Sequence, residues 1–149
     1  MPAYEKYLQE TLIDEISLQK RVAELGQQIS AEYADCEDLL LLCILKGGVM
    51  FLCDLTRHIT VPHEIDFLAI SSYGKGVRES SGNVRIDMDL SEGVTGRHLL
   101  IVEDIIDSGQ TLSFVMDVLK ARRPASLKLC TLLDKPSKRT VPISIDYTG

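Results

Sequence analysis

Seven consecutive apolar residues, Leu39-Leu40-Leu41-Leu42-Cys43-Ile44-Leu45, end abruptly on Lys46-Gly47-Gly48. The run is too short to span a bilayer. No polar residue interrupts it, so it predicts a strand buried on both faces. Such a strand needs cover above and below, and the neighbouring sequence supplies it. Residues 11–34 read as a helix, with Leu12, Ile16, Val22, Leu25 and Ile29 on one apolar face. Residues 49–58 read as a second helix and 112–122 as a third. Residues 65–71, 98–102 and 127–133 read as further strands. Residues 84–89 read as a short strand returning from a polar, glycine-bearing loop at 73–83. Strands alternating with helices predict an α/β fold, a mostly parallel twisted sheet flanked by helices.

The chain has 149 residues, of which 45% are hydrophobic and 26% charged. This excludes a disordered or collagen-like chain and predicts one domain over residues 1–149. A net charge of −6 argues against a general nucleic-acid binder. No membrane span is expected. Met1-Pro2-Ala3-Tyr4-Glu5 carries no basic region before an apolar stretch, so no signal peptide is expected. Cys36, Cys43, Cys53 and Cys130 form no CxxC pair and predict reduced thiols in a cytoplasmic protein. His58, His63 and His98 form no HExxH pattern, so no histidine or cysteine metal site is expected.

In sheets of this class, ligands bind beyond the carboxyl ends of the strands. Three polar clusters fall there: residues 46–48, 103–111 and 134–138. They predict one composite site. Residues 103–111 read as a polar loop, whose end, Asp107-Ser108-Gly109-Gln110-Thr111, leads into a helix N-terminus. Unpaired amides and the helix dipole attract anions at such a point. Gly109 permits close backbone approach, and Ser108 and Thr111 add hydroxyls. No GxxxxGK[ST] pattern occurs, so this is not a P-loop. Glu103 and Asp104 would repel a phosphate. They suit the vicinal hydroxyls of a sugar or a magnesium ion. The residues therefore describe a ribose 5-phosphate site. Solvated strand-end acids and a Ser108 helix cap are the alternative at this point.

The stretch Leu100-Ile101-Val102-Glu103-Asp104-Ile105-Ile106-Asp107-Ser108-Gly109-Gln110-Thr111 resembles the 5-phosphoribosyl pyrophosphate signature of the type I phosphoribosyltransferases. Ile44-Leu45-Lys46-Gly47-Gly48, Ser71-Ser72-Tyr73-Gly74 and Leu132-Leu133-Asp134-Lys135-Pro136 narrow the resemblance to the hypoxanthine-guanine branch. It extends from about Thr11 to Gly149. It implies the Rossmann-like core of that family and a role in purine salvage. The reaction implied is magnesium-dependent transfer of 5-phosphoribosyl from its 1-pyrophosphate to a 6-oxopurine, hypoxanthine or guanine. The products would be the nucleoside monophosphate, such as IMP, and pyrophosphate.

By the same resemblance, Asp107, Ser108, Gly109, Gln110 and Thr111 hold the 5-phosphate. Glu103 and Asp104 face the ribose hydroxyls and Mg2+, directly or through water. Asp107 also serves as general base or acid near the purine N7. Lys46, Gly47 and Gly48 bind pyrophosphate, and the peptide before Lys46 is cis in some relatives. Ser72, Tyr73 and the residues to Asn83 form a closing flap that excludes water, while Lys75, Arg78 and Arg85 read as surface charge. Lys135 contacts the purine O6, and Arg139 matches a nearby basic position of less defined role. A homodimer or homotetramer is implied. The family continues for a few tens of residues beyond the position of Gly149, so part of the purine-covering hood is expected to be absent from this chain. A non-catalytic phosphoribosyl-nucleotide-binding regulator, or an inactive fragment on the same fold, is the alternative function.

Overall fold

The computed structural model describes residues 5–72 and 84–149. In chain order the main elements are α1 (Glu15–Glu32), β1 (Leu39–Leu45), α2 (Val49–Thr56), β2 (His63–Ser72) and β3 (Val84–Met88). Then come β4 (His98–Ile106), α3 (Gln110–Ala121), β5 (Ser126–Asp134) and β6 (Tyr147–Thr148). Short 3-10 turns occupy Glu5–Tyr7 and Pro136–Lys138. The strands form one sheet in the order β3-β2-β1-β4-β5-β6. All neighbours are parallel except β2 and β3, which are antiparallel as the return from the polar loop predicts. The mostly parallel sheet flanked by helices is the fold expected.

The apolar run of β1 explains the layering. Successive strand side chains point to opposite faces. Leu39, Leu41 and Cys43 pack with Val22, Leu25 and Ile29 of α1 and with Phe51, Leu52 and Leu55 of α2. Leu40, Leu42 and Ile44 pack on the other face with Leu112, Val115 and Leu119 of α3. The chain reverses direction across the sheet at β1: β2 lies on one side of it and β4 on the other. That reversal opens a crevice at the carboxyl ends of β1 and β4.

Most element ends shift by one or two residues from the sequence pattern, and three larger differences stand out. Helix α1 starts at Glu15 because Asp14 caps it, accepting hydrogen bonds from Ser17 N and Ser17 Oγ, both at 2.8 Å. Leu12 and Ile16 are 85% and 83% exposed, so neither belongs to the packed face, which is Val22, Leu25, Gly26 and Ile29. Strand β4 runs on to Ile106, whereas residues 103–111 read as loop. Its ladder to β5 continues to Ile106↔Asp134, so Glu103 and Asp104 lie within the strand. Strand β6, two residues long, has no counterpart in the sequence reading.

Among the described residues, no helix is long and apolar enough to cross a membrane. All four cysteines are free thiols. Burial pushes Cys43 and Cys130 up to about 12.

Helix α1 meets the end of α2 at Gly26. A Cβ there would lie 2.4 Å from His58 Cβ and 2.8 Å from the His58 carbonyl carbon and oxygen. Alanine in place of glycine gains about 1 kcal/mol of helix propensity. Overpacking costs about 1–3 kcal/mol. The obstacle includes backbone, which cannot rotate away, so the steric cost wins. Gly26→Ala is therefore expected to lower the urea midpoint without changing the slope. A raised midpoint would show that α1 can move off His58.

Candidate active site

The crevice is built from the ends of β1, β4 and β5. After β1 the chain turns through a cis Leu45-Lys46 peptide into Gly47 and Gly48. Both glycines are required by close neighbours. A Cβ on Gly47 would lie 2.9 Å from Asp104 Oδ2, and one on Gly48 would lie 2.9 Å from the Val102 carbonyl oxygen. The turn thus packs directly onto β4, with Lys46 exposed at its start.

Glu103 and Asp104 are consecutive strand residues and project to opposite faces. Asp104 lies against the Gly47 turn, and its Oδ1 accepts a hydrogen bond from Ile105 N at 2.9 Å. Glu103 instead lines a cleft of about 170 Å³ with Ile44, Asp107, Ser108, Gly109 and Thr111. Its Oε1 is buried and has no hydrogen-bond partner. Burial, and then the charge of Asp104, push the Glu103 carboxyl up to about 8.

Beyond Ile106, only Asp107, Ser108 and Gly109 separate β4 from α3. Gly109 is the N-cap residue and holds φ +79°, a left-handed conformation natural to glycine. No side chain caps α3. The cap position falls on Gly109 rather than Ser108, whose Oγ accepts a long bond from Gln110 N at 3.4 Å. The N-terminal end of α3 borders the cleft through Gly109, Thr111 and Leu112, and an anion is what such a helix end binds.

The β5 end completes the site. Lys135 Nζ lies 3.6 Å from Asp107 Oδ1. Arg139 donates from Nε to the Asp107 carbonyl oxygen at 3.0 Å and pairs through Nη2 with Asp134. The sequence clusters at 46–48, 103–111 and 134–138 therefore meet, joined through Gly47–Asp104 and through the Lys135 and Arg139 contacts to Asp107. The Gln110 side chain donates to Thr140 Oγ1 at 3.2 Å. Ser72 is the exposed last residue of β2. Tyr73, Lys75, Arg78 and the glycines of the expected flap lie outside the described residues. Arg85 pairs with Asp87 at 2.6 Å.

Two contributors escaped the sequence reading. Thr140 N and Val141 N both donate to the Ser108 carbonyl oxygen, at 3.0 and 3.3 Å. Backbone donors leave no signature in residue types, so no sequence signal would have found them.

The chain matches the phosphoribosyl transferase domain family over residues 10–149. Hypoxanthine phosphoribosyltransferases of Salmonella typhimurium and Escherichia coli are each 47% identical over 145 residues, covering 97% of this chain and 81% of theirs. The crystal structure of a hypoxanthine phosphoribosyltransferase from Staphylococcus aureus superposes with a TM-score of 0.90 at 39% identity. It covers 95% of this chain and 76% of that one.

Glu103 gives the site a pH signature. Its folded value of about 8 stands above the unfolded 4.5. Between those values the folded state holds a proton that the unfolded state has lost. Its contribution to stability is therefore present at low pH and falls away as pH rises through that window. In chelator-treated, ligand-free protein, melting temperature should fall from about pH 4.5 to 8. Glu103→Gln should flatten that fall and be the more stable protein at its upper end. Identical slopes for the two proteins would place Glu103 in an ordinary solvated environment.

Proposed function

The chain belongs to the phosphoribosyltransferase family, and from that premise we propose that it transfers 5-phosphoribosyl from 5-phosphoribosyl 1-pyrophosphate to hypoxanthine, with guanine as a second acceptor. The products are the purine nucleoside monophosphate and pyrophosphate, and the role is purine salvage. One observation carries the reading. The uncapped N-terminus of α3, opened by Gly109, shares a cleft with the Glu103 carboxyl. An anion subsite beside a hydroxyl-accepting subsite is what a ribose 5-phosphate requires.

In this reading the 5-phosphate sits on the amides and hydroxyls of 107–111, with the ribose hydroxyls toward Glu103 and Asp104. The C1′–oxygen bond to pyrophosphate breaks, and its electron pair leaves with pyrophosphate. The purine N9 lone pair forms the new bond to C1′. The imidazole proton then surplus on the base passes from N7 to the Asp107 carboxylate, which is exposed toward the cleft. Such proton transfer contributes about 10²–10⁴-fold. Lys46, Gly47 and Gly48 hold the leaving pyrophosphate. Lys135 offers its ammonium to the purine O6, a contact that a 6-amino purine cannot accept.

Magnesium suits this donor set. The ion usually takes one or two carboxylates together with substrate phosphate oxygens. The unpartnered Oε1 of Glu103 would offer one carboxylate on the cleft face of β4, and Asp104 one on the Gly47 face, each directly or through water. Among the described residues no group of three or more His, Cys, Asp or Glu forms a closed cage, so substrate oxygens would complete the shell. Bound there, the ion would offset the charge gathering on pyrophosphate. The four free thiols suit a cytoplasmic enzyme.

The test is the initial rate of IMP formation from hypoxanthine and the pyrophosphate donor with magnesium. Turnover by the wild-type chain is expected, and Asp107→Asn should lower it by about 10²-fold or more with donor affinity little changed. Unchanged turnover would remove Asp107 from the proton transfer. Donor binding by a folded wild-type protein that forms no IMP would favour the regulator over the enzyme.

A further inference from the structure

We propose that residues 135–141 are a strap that presets the anion-binding loop, and that Arg139 is a positioning residue within it rather than a purine contact. The inference rests on the ribose 5-phosphate reading of that loop and deepens it.

The strap takes hold of three consecutive carbonyls. Lys135 N donates to the Ile106 oxygen at 3.0 Å. Arg139 Nε donates to the Asp107 oxygen at 3.0 Å. Thr140 N and Val141 N donate to the Ser108 oxygen at 3.0 and 3.3 Å. A trans peptide is planar, with its oxygen and the following N–H on opposite sides. The cis peptide bond described in this chain is Leu45-Lys46, which is not one of the loop's peptides. Drawing the oxygens of 106, 107 and 108 toward the strap therefore turns the N–H groups of Asp107, Ser108 and Gly109 away from it. The strap also backs the loop sterically. A Cβ on Gly109 would lie 2.8 Å from Ile143 Cγ1 and 3.1 Å from Arg139 Cδ.

Arg139 ties the loop to the end of β5. Its Nε holds the loop carbonyl, while Nη2 pairs with Asp134 at the end of β5. The side chain is only 17% exposed. An arginine fork of this kind fixes two acceptors in one plane, which a lysine cannot do. Amides aimed in advance bind an anion without the cost of ordering the loop.

Calorimetry with ribose 5-phosphate tests this without any need for turnover. Arg139→Lys and Asp134→Asn are each expected to weaken its binding by about tenfold or more, as a misplaced subsite would. The KM for the pyrophosphate donor should rise in parallel while the KM for hypoxanthine stays put. Because the two residues act as one unit, the double variant should bind no worse than the weaker single variant. A rise confined to the hypoxanthine KM would make Arg139 a purine contact and overturn the proposal. So would a lowered melting temperature with unchanged ribose 5-phosphate affinity, which is a merely structural role. If Arg139→Lys does not fold, Asp134→Asn, which preserves side-chain size, is read by the same criteria. Wild-type protein that binds ribose 5-phosphate but forms no IMP would refute the transfer reading and leave the strap to be judged by its variants. Wild-type protein that fails to bind ribose 5-phosphate would refute the subsite and the strap together.

Discussion

β1 and β4 lie side by side at the reversal of the sheet, and both are enclosed on two faces for most of their length. Leu39 to Leu42 and Leu99 to Val102 are at most 2% exposed. Two adjacent strands in that condition have no face on which to carry polar chemistry. Polar side chains are admitted only where the strands leave the core, and both leave it at the same edge because they are parallel. The clustering of glycines, acids and lysines at that edge follows from this burial. So does the tightness of the glycine turn: Gly48 packs on the backbone of β4 because the two strands are hydrogen-bonded up to Cys43↔Val102.

The same argument explains how far the sequence could be read. β1 matches its apolar run residue for residue, since a strand covered on both faces takes apolar side chains at every position. β4 was legible only to Val102, because Glu103 and Asp104 interrupt the apolar pattern while the backbone ladder to β5 runs on. A ladder depends on peptide groups, and side-chain polarity does not report it. The start of α1 failed for the converse reason. Leu12 and Ile16 have the right spacing for a helical face, but the Asp14 cap puts Leu12 outside the helix and Ile16 in a first turn that covers nothing. The site clusters were legible as residue types at strand ends. The strap was not, because three of its five hydrogen bonds to the loop are donated by backbone.

An acidic chain of net charge −6, with two neighbouring carboxylates, makes an unlikely home for a donor rich in phosphate, and strand geometry resolves the conflict. Adjacent residues of β4 face opposite sides, so only Glu103 shares the cleft with the loop at 107–109, while Asp104 is turned to the Gly47 side. The two carboxyls thus lie on different sides of β4. In the proposed reading, phosphate attraction comes from peptide dipoles, whose partial charges need no excess of lysine or arginine in the composition. Net charge is therefore a guide to nucleic-acid affinity, where contacts are many and spread over a surface. It says little about one phosphate held at a helix end. The cations this site does use are few and local. Arg139 has its charge matched by Asp134, Lys135 lies 3.6 Å from Asp107 Oδ1, and Lys46 is exposed after β1. On the proposed reading, the ligand is distinguished by the spacing between a helix end and a carboxyl, and both follow from the end of β4, which its ladder to β5 holds.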